Sequence, residues 1–145
     1  MIGEPPPRFA LHCHPDLAAY AAWMRDQRIS NYPARVGEGK MTQEDADRGI
    51  LIMSEIARLW RHAADCTLPD QPIAVDDVDM HGALAAAYAG AHALAAKSPL
   101  NPMLADRRDC LFAMMWWLRR HPRGPLTMVE LTHKMRGTPR RQEAA

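Results

Sequence analysis

Cysteine is scarce in this chain and badly spaced for pairing: Cys13, Cys66 and Cys110 are three in number and lie far apart. Residues 1–9 run through three prolines and have neither the charged start nor the apolar run of a secretory leader. A disulfide framework is therefore excluded, and reduced thiols in the cytoplasm are expected. Valine, isoleucine and threonine are sparse, and they nowhere alternate with polar residues for long enough to make a strand. The longest apolar stretch, residues 81–96, is closed by Lys97 and Pro99 and falls short of the ~20 residues a membrane span needs. No glycine-rich phosphate loop, paired CxxC or HExxH spacing is present, and no serine or cysteine stands beside a histidine and an acid in a nucleophile pattern. Catalysis thus has no visible foundation, and a non-enzyme without a cofactor is the expectation.

What remains is the composition of an ordinary globular protein, with 48% hydrophobic and 24% charged residues in 145. That is enough apolar surface for one self-supporting domain, 1–145, with flexible ends over 1–11 and 138–145. Alanine, leucine, methionine, arginine and glutamate dominate, the residues that lose least freedom on entering a helix. An all-α fold follows: an irregular bundle of four main helices plus a short C-terminal helix.

Capping signals place the elements. Pro15 opens a first helix that runs to about Ile29 with Leu17, Tyr20, Ala21 and Met24 on one face, and Asn31-Tyr32-Pro33 breaks it. Thr42 caps a second helix, in which Ala46, Ile50, Met53, Ala57 and Trp60 recur at three and four residues as far as about Ala64. Asp76 caps a third that ends before Ser98-Pro99, and its Gly82, Gly90 and many alanines leave room for a neighbouring helix to come close. Asn101-Pro102 opens a fourth, which Pro122 stops. Thr127 and Glu130 fit a capping box, and Leu126 with Leu131 fits a hydrophobic staple. These set a short helix from about Met128 to Arg136, with Gly137 at the left-handed cap.

Four groups of side chains have chemical potential. His12, Cys13, His14 and Asp16 are metal-capable, as are His62 and Cys66 at i, i+4, but their spacing is not that of a known metal motif. His81, Ala85, Tyr88 and His92 share a face of the third helix, with Asp77 placed to orient His81 or raise its pKa. Trp23, Trp116 and Trp117, with the ten methionines, are the anchors expected of a protein interface, since adjacent Trp116 and Trp117 point about 100° apart and do not share one buried stripe. Finally, residues 119–145 carry seven Lys and Arg against two acids, while 1–118 carry eleven against fifteen. Arg119, Arg120, Arg123, Lys134, Arg136, Arg140 and Arg141 therefore concentrate positive charge at one end, a face for phosphates or for solvent.

Two resemblances follow from these residues. The run 110–141, a helix ending LRRHPRG, then PLTMVELTHKM, a glycine turn and TPRRQ, resembles the opening of a helix-turn-helix or winged-helix domain, which implies a DNA-binding regulator. With the sequence stopping at Ala145, a recognition helix after that turn has barely two turns. The segment 28–60 resembles small phage and prophage proteins of uncharacterised role, through Tyr32, Pro33, Val36, Gly37, Met41, Thr42, Ala46, Ile50, Met53 and Ile56. That resemblance implies a phage-type accessory protein that binds and modulates or inhibits a host protein, a component of antiviral defence among the options. A host protein partner, a homodimer and nucleic acid are the partners to look for, and a membrane is not.

Overall fold

The computed structural model describes residues 5–144, with side chains described through residue 136. Five helices make up the fold: α1 (His14–Gly37), α2 (Gln43–Asp65), α3 (Asp77–Lys97), α4 (Pro102–Arg120) and α5 (Leu126–Ala144). No strand occurs among the described residues, and none of their helices is long and apolar enough to cross a membrane. α1 packs chiefly on α2, and α3 on α4, forming two hairpins. Slimmer contacts of α2 with α3 and of α1 with α4 join the hairpins, and α5 rests on α2.

The caps read from the sequence are in place. Thr42 Oγ1 accepts from the Asp45 amide at 3.1 Å, Asp76 Oδ1 from Asp79 at 2.8 Å, and Asn101 Oδ1 from Met103 at 3.1 Å. Each satisfies an amide that the first helical turn leaves without an internal partner. Cys66 closes α2 in the left-handed conformation at φ 55°, and the Thr67 amide donates back to the His62 carbonyl at 3.0 Å.

Three boundaries differ from expectation. α1 passes through Pro33 to Gly37. The proline removes one amide, but Ile29, Ser30, Asn31 and Pro33 are exposed, so the orphaned carbonyl faces water. Tyr32 and Arg28 meanwhile hold this half of α1 on α2: the Arg28 guanidinium donates to the Gly49 carbonyl at 2.7 Å. At the other end, α5 starts at Leu126, before Thr127. Thr127 Oγ1 donates to the Pro122 carbonyl at 2.5 Å and Glu130 pairs with Arg123 at 2.6 Å, so no capping box forms. Leu131 is half exposed while Leu126 is fully buried, which leaves the staple unmade. α5 then continues through Gly137 to Ala144 without a left-handed cap, and with no turn there the two-helix geometry of a helix-turn-helix unit is not built.

α4 is the central element. Residues 113–118 are all buried, so this stretch of the helix is enclosed on every side and not by one stripe. Trp116 and Trp117, at 5% and 6% exposure, meet edge to face with ring centroids 5.2 Å apart. This corrects their role: neither is available as an anchor for a partner. The missing cover comes from the N-terminal segment, where the Trp117 indole donates to the Ala10 carbonyl at 2.7 Å and His14 lies against the Trp117 ring. Ala10 is fully buried and Arg8 reaches Asp106 at 2.9 Å, so residues 8–10 are docked where a flexible arm was expected. The stretch 138–145, also expected to be flexible, lies where side chains are outside the described residues.

Close helix approach occurs elsewhere than the glycines of α3 implied. No atom lies within 4 Å of a Cβ built at Gly82 or Gly90, whereas one built at Gly49 of α2 comes within 3.0 Å of Tyr32 of α1. The α2–α3 loop is tied down by Arg58, which donates to the Gln71 and Pro72 carbonyls at 2.9 and 2.8 Å and to Glu55 at 2.8 Å. Glu55 in turn accepts from the Ala74 amide at 2.9 Å.

Candidate partner-binding groove

A groove of about 300 Å³ opens between the two hairpins, where the α1 and α3 backbones make no close approach. On α1 the residues facing it follow helical spacing, with Tyr20, Trp23, Met24, Gln27 and Arg28 on the side flanking the buried Leu17–Ala21–Met24 stripe. α3 contributes Ala87, Gly90, Ala91 and Leu94 at i, i+3, i+4 and i+7, and α4 contributes Leu104 and Arg107.

Trp23 dominates one wall. It is 40% exposed, while Trp60, Trp116 and Trp117 are at most 6% exposed. Its ring stacks on Tyr20 with centroids 5.7 Å apart, and the Arg107 guanidinium lies 4.3 Å above it. This cation–π contact leaves the edge donors of Arg107 available to a ligand. Arg28 marks the other end of the rim, one Nη on the Gly49 carbonyl and its plane 5.8 Å from the Tyr32 ring. Burial pushes the Tyr20 phenol up in pKa, against the opposing pull of Arg107, so this hydroxyl stays neutral and polar. Leu94 forms the outer lip at 55% exposure.

The groove has no reactive group. No acid, histidine, serine or cysteine lines it. Cys110 is buried, and desolvation, with Asp16, Asp106 and Asp109 nearby, pushes its thiol up to about 12, which makes it a packing group and a poor nucleophile.

The other candidates are placed as follows. Among the described residues no three metal-capable side chains converge. His62 Nδ1 is hydrogen-bonded to Thr67 Oγ1 at 2.8 Å, and the Cys66 carbonyl is met by His133 Nε2 at 2.7 Å. His12 is exposed at the surface, while His14 is half-buried against Trp117. On α3, Tyr88 stacks on His92 and tilts against Phe112 of α4, a packing role. Asp77 does not serve His81: its carboxylate accepts from the Arg123 amide at 2.9 Å, and burial together with Arg119 lowers the His81 pKa. At the basic end, Arg119 and Arg120 occupy the last turn of α4, where they complement the helix dipole, and lie over Phe112 and Trp116. Glu130 takes both Arg123 and, at 3.6 Å, Lys134. Arg136 is exposed, and the side chains of Arg140 and Arg141 lie outside the described residues.

Of the groove, sequence reasoning singled out Trp23 and, among the methionines, Met24 as anchors. Arg28, Arg107, Gly90 and Leu94 were missed. The small-residue spacing Ala87, Gly90, Ala91 was the available signal, but it was read as a helix contact within the bundle. Compared with known proteins, the chain matches no family model, and no curated protein or solved structure is detectably similar to it.

Proposed function

We propose that this is a non-catalytic binding protein that seats a segment of a partner protein in the α1–α3–α4 groove. The observation that supports it is the pairing of a half-exposed tryptophan, backed by Tyr20 and Arg107, with an open apolar wall across the cleft. Rigid aromatic anchors beside desolvated pockets supply most of the binding energy at interfaces. On this reading Trp23 is the anchor, and Trp116 and Trp117 hold α4 in place behind it. The phage-like pattern of residues 28–60 belongs to the α1–α2 hairpin, and it supports a role as an accessory protein that modulates or inhibits a host protein in the cytoplasm.

Gly90 offers a test that leaves the core alone. A Gly90→Leu side chain meets no neighbour at its Cβ and fills the groove. Capture from bacterial lysate with wild-type protein should enrich a partner that Gly90→Leu and Trp23→Ala both lose while retaining their circular dichroism. A partner held equally by all three proteins would count against the groove.

A further inference from the structure

The α1–α2 groove and the groove between the hairpins differ in how their arginines are satisfied. Along the α1–α2 groove, Arg25 pairs with Asp26, Arg58 with Glu55 and Arg61 with Asp65. Elsewhere Arg8, Arg48, Arg108 and Arg123 likewise reach carboxylates. At the α1–α3–α4 groove neither Arg28 nor Arg107 has an ion pair among the described residues, and no Asp or Glu is among the residues lining it. Two guanidiniums thus flank an apolar cleft that supplies no counter-charge of its own. Planar guanidinium forks match carboxylates in geometry, and a charge-assisted bond is about twice as strong as a neutral one.

Size decides between a small acid and a peptide. A cavity of about 300 Å³ stands at the lower end of ligand pockets. Beyond it the apolar side chains of Leu94 on α3, Leu100 in the α3–α4 turn and Met103 at the start of α4 form a second exposed set, at 55%, 96% and 51%. An occupant that covers these residues as well is longer than the cavity and lays one or two side chains into it. An amphipathic helix lays its apolar face into a groove of this kind through side chains at i, i+3, i+4 and i+7.

We infer that the groove's occupant is an acidic amphipathic helix of the partner protein, its apolar side chains on Trp23, Leu94 and Leu104 and its flanking carboxylates on Arg28 and Arg107. This rests on the groove being the binding site. The test is selection of a displayed library of 16-residue helices with leucine or phenylalanine at i, i+3, i+4 and i+7 and with Glu, Gln and Lys equally allowed at the flanking positions. Binders of the wild-type protein are counter-selected against Gly90→Leu. Glutamate should exceed lysine at the flanks by about tenfold in the surviving pool. Arg107→Glu should reverse that preference, and a selected peptide should shield Trp23 from acrylamide, a clean readout because the other three tryptophans are buried. Groove-dependent binders with neutral or basic flanks would overturn the acidic occupant while leaving the groove as the site. No binder sensitive to Gly90→Leu would overturn both.

Discussion

Glu55 carries more of the fold than its place on the surface of α2 implies. Its carboxylate holds Arg58, which grips the Gln71 and Pro72 carbonyls, and accepts the Ala74 amide, so one side chain pins the α2–α3 loop. Partial burial raises the pKa of this carboxyl, and the Arg58 and Ala74 hydrogen bonds more than offset that, leaving it below the usual glutamate range. A depressed carboxyl stabilises the fold fully above its unfolded value, roughly 4.3, and loses that contribution as pH falls through the folded value. Glu55→Gln should therefore cost about 1–2 kcal/mol at pH 7, with the gap to wild type closing in acid. Urea midpoints from pH 7 to pH 3 would show it; a constant gap would mean that the charge is not what matters. Trp117 works similarly at long range, since its indole N–H is what fixes the buried Ala10 carbonyl and with it the N-terminal segment.

Among the elements, α1 and α3 each contain a residue unfavourable to helices. Pro33 forfeits an internal hydrogen bond in an exposed half of α1, so Pro33→Ala should raise stability, by roughly 1–3 kcal/mol. A thermal melt that falls instead would mean that the proline shapes the α1 end on Tyr32 and Gly49. Gly90 lowers the stability of α3 and faces empty space. Gly90→Leu should therefore melt higher, worth roughly 0.5–1 kcal/mol, while losing the partner. Gain of stability with loss of binding is the pattern expected of a residue kept for its site; a lower melting point would mean that the groove wall cannot accept a side chain. The capped starts of α2, α3 and α4 were legible because a cap spans three residues and owes nothing to the rest of the chain. The start of α5 was not: Thr127 and Glu130 had the right types at the right spacing, but the Pro122 carbonyl and Arg123 took them first.

For the molecule as a whole, one contiguous cluster of buried residues draws on α1, α2, α3, α4 and α5. Trp60 of α2 is fully buried in it and reaches the turn at Gly124, between α4 and α5. Trp60→Ala should cost roughly 3–5 kcal/mol, and amide exchange should quicken in both hairpins together. Faster exchange confined to α1 and α2 would show that the hairpins unfold separately. The sequence by itself determined that the chain is helical, where most helices begin, and that α1 and α2 each have a core-facing stripe, because propensity, capping and periodicity act within a few residues. It also singled out Trp23, which the structure places half exposed on the groove wall. Only the tertiary structure decided that Trp116 and Trp117 are enclosed, that the hairpins part to leave a groove, and that Arg28 and Arg107 flank it without a carboxylate. Periodicity tells which way a side chain points from its own helix; what covers that side chain depends on segments distant in the chain, such as Ala10 over Trp117.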